Sequence, residues 1–347
     1  MARKVDIGVL QRLSELNGPA GFEGAVREYI VEMAKELGAE VEIDKLGNVI
    51  GHVKGKGPKV MLIAHMDEVG LITSDIDDGG FIYFSNLGGW DTRLLPGLEM
   101  TVMAPKRNLP GTIGMKPPHI TSPEERKKVP EMTDLFVDTG LDKAALTRAG
   151  VRVGTPMAPS TSFRRLSQKR VMGKAFDDRA GCYLLLRLLE DGNLPCDTTF
   201  VWSVQEEVGA RGGGPAATRV DPDYVIVVEA TIAADFPGVP RQKIISRMRA
   251  GTVVTVMDRM QVADAGMLDA LLEVAKEEKL KVQLKKPGIG ATDAGPIHLR
   301  GTGYRALPLA VPTRYIHSPA GIMDLRDLES TERLIAAMLV RLATKGA

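Results

Sequence analysis

Cysteine is scarce, with only Cys182 and Cys196 in a chain of 347 residues. Two cysteines cannot build the disulfide framework of a small secreted domain. Cys182 sits in an apolar helical pattern and reads as a small core residue, so a reducing, cytoplasmic location is the expectation. Excess charge is lacking too: 45 Lys and Arg face 44 Asp and Glu, a net charge of +1. That balance provides no field to gather nucleic acid or an anionic membrane. No run approaches the roughly eighteen apolar residues of a membrane span. The opening MARKVDIGVLQRL has no continuous apolar core or cleavage pattern of a signal peptide. Neither a low-complexity tract nor a fixed-period repeat is present. Histidines number only five, so their positions carry weight.

What remains is an α/β pattern, a β-rich stretch, and the α/β pattern again. Residues 24–37 carry Val26, Tyr29, Ile30, Met33 and Leu37 at helical spacing. Strands are predicted at 40–43, 48–53 and 59–64, the last apolar throughout, as in a strand covered on both faces. From about Val69, short strand-like runs (71–74, 81–84, 99–104, 111–115) are joined by turns such as Asp77-Asp78-Gly79-Gly80, and nine of the 21 prolines fall between residues 94 and 160. Helical spacing is nearly absent there except around 141–149. Beyond Gly173 the spacing predicts helices at 178–190, 264–279 and 325–344, with strands at 197–204, 224–228, 252–256, 282–284 and 304–307. A sheet-and-helix domain interrupted by a β-rich insert explains this order more economically than two α/β domains in series. The expected division is a discontinuous catalytic domain, residues 1–68 and 171–347, with the insert at 69–170.

Reactive residues collect just beyond predicted strands. His65 closes VMLIAH, and Asp67 at i+2 leaves the same side of an extended chain. A carboxylate there can orient a metal-bound imidazole through its spare N–H. FDDR (176–179) puts Asp177 and Asp178 between a strand-like run and an apolar helix; a simple helix cap is the ordinary role for one of them, Asp178 above all. FVWSVQEEVGARGGG (200–214) ends a buried strand with Glu206 and Glu207, beside an unusually permissive Gly212-Gly213-Gly214 run. VVEATIAADFPG and RYIHSPAG contribute Glu229 and His317. Each alone has a bland explanation as a strand-end charge. Together they place two imidazoles and three carboxylates along the edge where open α/β sheets bind ligands. That donor set suits a pair of divalent ions such as Zn²⁺, Co²⁺ or Mn²⁺.

With these stretches the sequence resembles the tetrahedral aminopeptidases, metallopeptidase family forty-two. The resemblance covers nearly the whole chain through AHMDEVG (64–70), GGWD (88–91), IGMKPPH (113–119), DLFVDTG (134–140), FDDR (176–179), QEEVGARG (205–212), TDAG (292–295) and PTRYIHSP (312–319). It implies an aminopeptidase that takes the N-terminal residue from short peptides. His65, Asp177 and Glu229 would hold one metal ion and Asp177, Glu207 and His317 the other, with Asp177 bridging. Glu206 would be the general base and Asp67 the partner of His65. The implied fold is a catalytic α/β domain with a mixed central sheet flanked by helices, interrupted by a β-rich dimerisation domain. Dimers would assemble into a hollow twelve-subunit tetrahedron. Related dinuclear peptidases also imply a cis Asp177–Asp178 peptide.

Two departures stand out. Members of the family often carry Asp where this chain has Glu229, and VPRQKIISRMRAG (239–251) replaces a glycine-rich segment. Residues 239–250 are therefore expected to shape the pocket or subunit contacts. The residues that select the N-terminal side chain are not legible. A carboxylate-based endoglucanase is one alternative, but it leaves His65 and His317 idle. A shell protein without catalysis is another, opposed by retention of all five donor positions and Glu206.

Overall fold

Four apolar strands lie side by side. Asp197–Ser203, Lys59–His65, Tyr224–Ile232 and Arg305–Arg314 run parallel, in that spatial order, at the centre of an eleven-stranded mixed sheet. Antiparallel strands extend one flank through Val49–Val53 and Glu40–Ile43, and the other through Gly321–Asp324, Arg170–Gly173 and Arg164–Arg165. Thr252–Val254 and Val282–Leu284 pair with each other, and the former attaches to Arg305–Arg314. The computed structural model describes residues 6–192 and 194–347. The first five residues of the 1–68 segment, which open the stretch read for a signal peptide, lie outside it, as does Asn193.

Continuous apolar sequence in the central strands follows from cover on both faces. Leu62, Ala64, Phe200, Trp202, Ile226 and Val228 join the core built around helix Phe176–Asp191, while Met61, Ile63, Val201, Val225 and Val227 pack on the other side with Ala216 and Ala217 of helix Gly213–Val220. Neighbouring residues thus feed opposite cores, as pleating requires. Register then sets the site. Ser203 pairs with His65 and Val227 with Ile63, so Glu229 comes level with His65 on the same face.

The β-rich stretch forms a closed six-stranded barrel from Gly70–Ile76, Ile82–Leu87, Leu135–Asp138, Asn108–Met115, Glu99–Met103 and Pro156–Pro159. It has its own apolar core, including Leu71, Phe84, Met100, Ile113, Val137 and Met157. The helical spacing near residue 141 becomes Lys143–Ala149, capped by Asp142 and closed by Gly150 at φ +90°, where glycine carries no Cβ penalty.

The triple glycine behaves differently from its sequence reading. Gly212 has helical angles and Gly213–Val220 is a helix. A Cβ on Gly212 would lie 2.5 Å from Asn48 Oδ1 and from the Val204 carbonyl, and one on Gly213 would lie 2.8 Å from Asp293 Cγ. These glycines let a helix press against the sheet; space, not permissiveness, is what they supply.

Candidate metal centre

Eight side chains, six carboxylates and two imidazoles, converge at the C-terminal edge of the parallel strands. His65 ends Lys59–His65 and is 2% exposed. Its Nε2 lies 3.4 Å from Asp177 Oδ1 and 3.6 Å from Glu229 Oε2. His317 follows Arg305–Arg314 in a turn where Tyr315 and His317 both take left-handed angles, φ +61° and +53°. Its Nε2 lies 3.4 Å from Asp177 Oδ2 and 3.2 Å from Glu207 Oε2. Asp177 therefore turns one oxygen to each imidazole. It stands at non-helical angles before the main run of its helix, and the Asp177–Asp178 peptide is cis, as the resemblance implies.

Glu206 and Glu207 reach the site because strand alternation stops. Gln205, directly after Val204, has φ +58°, and the next two amides are gripped by one side chain. Asp67, fully buried, accepts from Glu206 N through Oδ1 and from Glu207 N through Oδ2, each at 3.0 Å. Its backbone carbonyl lies 3.1 Å from His65 Nδ1, nearer than its carboxylate at 3.4 Å. So the imidazole is oriented by both the carbonyl and the side chain of Asp67. Holding the two glutamate amides is a second task that sequence reading did not reveal.

Asp178 performs the helix-capping role expected of it. Its carboxylate accepts from Gly181 N at 2.9 Å and from His65 N at 3.3 Å. It also lies near His65 and Glu229: the donor atoms of His65, Asp178 and Glu229 fall within 4.8 Å of one another, as do those of Asp177, Glu207 and His317. Backbone amides already engage Asp178, whereas Asp177 faces both imidazoles. Glu206 contrasts with both, for its carboxylate has no hydrogen-bond partner among the described residues and borders an adjoining cavity.

Charge is unbalanced here. Asp67, Asp177, Asp178, Glu206, Glu207 and Glu229 surround two imidazoles. Burial pushes the carboxyls of Glu206, Glu229 and Asp178 well above their ordinary range and raises that of Glu207. Burial also opposes ionisation of Asp177, but hydrogen bonds to His317 and His65 prevail and hold its carboxyl low. For His317, burial disfavours charge, yet Asp177 and Glu207 outweigh it and hold the imidazole at about 11. Buried like charges need a cation. The spacing fits one: tetrahedral bonds of about 2.0–2.2 Å separate neighbouring donors by about 3.3–3.6 Å, close to the 3.2–3.6 Å seen between imidazole and carboxylate atoms. The two groups could hold divalent metal.

Several supporting residues become visible only in three dimensions. Asp293 of TDAG is buried beneath the strand end, accepting from Ser203 Oγ at 2.5 Å while its Oδ1 has no partner among the described residues. Burial pushes its carboxyl up to about 6. Glu68 of AHMDEVG takes both oxygens to Lys174 Nζ, at 2.6 and 2.8 Å, and accepts from Gly18 N. GGWD brings the barrel to the centre: a Cβ on Gly88 would lie 3.2 Å from Glu207 Cβ, and one on Gly89 would lie 3.3 Å from His317 Nδ1. Residues 239–250 do not line the adjoining cavity, whose walls include Ile232, Phe236, Met260 and Ile289.

Known proteins place this arrangement. The family model described as M42 glutamyl aminopeptidase matches residues 47–334. FrvX of Escherichia coli (strain K12) is 31% identical over 98% of this chain and 97% of its own. The glutamyl aminopeptidase of Lactococcus lactis subsp. cremoris is 32% identical, covering 97% and 96%, and the lysyl aminopeptidase of Pyrococcus furiosus is 32% identical, covering 97% and 98%. Among solved structures, the TET aminopeptidase of the marine sediment archaeon Thaumarchaeota archaeon SCGC AB-539-E09 superposes with a TM-score of 0.95 at 35% identity, covering 98% and 97%. The Pyrococcus horikoshii TET1 peptidase, which can assemble into a tetrahedron or a large octahedral shell, gives 0.85 at 29%, covering 98% and 99%. A Thermotoga maritima protein described as an endoglucanase gives 0.79 at 32%, covering 96% and 99%. The chain belongs to the M42 glutamyl aminopeptidase family. It is a peptide hydrolase, an aminopeptidase of the exopeptidase kind. No helix among the described residues is long and apolar enough to cross a membrane.

Proposed function

We propose that the protein removes the N-terminal residue of short peptides at a dinuclear metal centre. His65, Asp177 and Glu229 hold one ion; Asp177, Glu207 and His317 hold the other. The observation carrying this reading is the placement of Asp177, with Oδ1 toward His65 and Oδ2 toward His317. Two divalent ions, zinc or cobalt foremost and manganese as a third candidate, supply an acidified water and a polarised scissile carbonyl. Glu206, free of other partners and with its carboxyl raised by burial, takes the proton released as the water attacks. It delivers that proton to the amide nitrogen as the C–N bond breaks. Asp67 keeps this geometry through the amides of Glu206 and Glu207. The substrate's free amine lies on the Glu229 side, which makes the enzyme an exopeptidase.

On the same reading, residues 69–170 form a dimerisation domain inserted into a catalytic domain of residues 1–68 and 171–347. Dimers assemble into a twelve-subunit shell in the cytoplasm. The test is hydrolysis of aminoacyl-anilides and short peptides with free or acetylated N-termini by protein stripped of metal and restored with Zn²⁺, Co²⁺ or Mn²⁺. Light scattering would run in parallel. Activity confined to metal-restored protein and free amines is the expected result. Cleavage of acetylated peptides, or of β-glucan in the presence of chelator, would overturn it.

A further inference from the structure

The loop that carries Glu206 and Glu207 leaves strand Asp197–Ser203 and ends at helix Gly213–Val220. Its first four amides are taken in succession by buried side chains from three separate segments. Val204 N donates to Asn48 Oδ1 at 3.0 Å and Gln205 N to Glu23 Oε1 at 3.1 Å, before Asp67 accepts the next two. Asn48 is fully buried and Glu23 is 3% exposed. These bonds begin where the sheet ladder stops, so the side chains satisfy amides that have no strand partner.

Asn48 also closes the far end. Its Nδ2 donates to Gly212 O at 3.1 Å and to Asp44 Oδ2 at 2.6 Å, so one side-chain amide spans the loop from Val204 to Gly212. Between those points the chain folds on itself: Gly209 N and Ala210 N donate to Glu206 O, and Arg211 N to Gln205 O. Glu23 has a different job. Gln205 holds φ +58°, a left-handed setting that a residue with a Cβ resists. Glu23 Oε1 accepts from its amide and from Gly21 N at 2.7 Å, which ties the turn ahead of helix Gly24–Glu36 to the loop. The Glu206 carboxylate itself has no hydrogen-bond partner among the described residues. Its place is therefore set by the backbone beneath it.

We propose that Asn48 and Glu23 are positioning residues for Glu206: by fixing the chain from Val204 to Gly212, they hold its carboxylate toward the cavity. The proposal rests on the reading of Glu206 as the general base. The two side chains meet different demands. Asn48 must accept at one end of the loop and donate at the other. Alanine there leaves Val204 N without its acceptor and Gly212 O without its donor. Glu23 needs only an oxygen for two amides, and the glutamine side chain keeps one. Glutamine at that position should therefore serve where alanine does not.

The experiment measures kcat, KM and bound metal for metal-loaded Asn48→Ala, Glu23→Ala and Glu23→Gln on an aminoacyl-anilide that the parent chain cleaves. Each substitution is also made on Glu206→Gln, and hydrogen exchange over residues 204–207 is followed by mass spectrometry. In both alanine variants kcat should fall on the order of 10-fold to 100-fold, the scale of a misplaced reacting group, with KM and metal content held. Glu23→Gln should recover most of the loss. On Glu206→Gln the same substitutions should cost little, because the group they place is gone. Losses that repeat in full on Glu206→Gln, or that track loss of metal, would overturn the proposal, as would full activity in both alanine variants. If one alanine variant does not fold, the other decides by the same comparison; failure of both would make the pair structural and overturn it too. If the parent cleaves no anilide, the aminopeptidase reading fails and exchange judges the positioning separately. Protection lost at 204–207 alone in the alanine variants upholds it; unchanged protection, or loss throughout the chain, refutes it.

Discussion

The two halves of the molecule treat charge in opposite ways. The barrel is held by an apolar core in which Leu71, Met100, Val102, Leu135, Val137 and Met157 are fully buried. The parallel sheet has a larger apolar core, but at its C-terminal edge it gathers six carboxylates around two imidazoles. The barrel's identified approach to that edge is steric, through Gly88 and Gly89. The difference shows where stability is conceded for chemistry. Carboxyls raised by burial are unfavourable in a folded chain by themselves, and those of Glu206, Glu207 and Glu229 gather in one cleft. The barrel has no comparable concession.

Four changes would break or sharpen that contrast. The largest effect should come from Glu206→Gln, which keeps shape and removes the proposed proton carrier. We expect kcat to fall on the order of 1000-fold, within the range for general acid–base groups, with metal content by mass spectrometry unchanged. Loss of metal in this variant would move Glu206 into the ligand set. Asp67→Asn should follow, at about 10–100-fold in activity or metal affinity, because an amide cannot accept from both Glu206 N and Glu207 N through equivalent oxygens. Unchanged activity would remove Asp67 from the design of the site. In the barrel, Val137→Ala should cost about 1–3 kcal/mol by urea melts and leave kcat/KM of folded protein unaltered. A large kinetic effect would mean the halves are coupled beyond the glycine loop.

The mildest effect should appear in the pH dependence of metal-free protein. The His317 pKa is raised from 6.5 to about 11 by its carboxylates, against burial. Its stabilisation is complete below the unfolded value and fades as pH rises toward the folded one. The raised carboxyls of Glu206 and Glu229 act in the same direction, because the folded state holds their protons longer. Tm of chelator-treated protein should therefore decline between about pH 7 and 10, and metal should flatten the slope. A Tm that rises over this window would contradict the charge assignment.

Legibility from sequence divides along similar lines. The proposed donors could be read because His65, Glu207 and Glu229 come at the end of an apolar run in the sequence, where His or Glu is conspicuous, although the strand carrying Glu229 continues to Ile232. The helix at Gly213–Val220 was hidden because three glycines look like a loop until their crowding against Asn48, Val204 and Asp293 is known. The roles of Asp293 and Glu68 were silent for another reason: TDAG and AHMDEVG are marks of the resemblance, but what these two carboxylates do lies in contacts with Ser203 and Lys174 from distant segments. The 239–250 segment drew attention by its departure from the family pattern yet does not line the cavity. A departure marks difference; only packing assigns a use.

Strand register has one last consequence. His65 and His317 lie at opposite ends of the chain, and Glu229 meets His65 only because its strand pairs without a one-residue slip, which would turn it to the other face. A partly folded chain therefore lacks the assembled centre. The cluster of imidazoles and carboxylates is complete only when the sheet is.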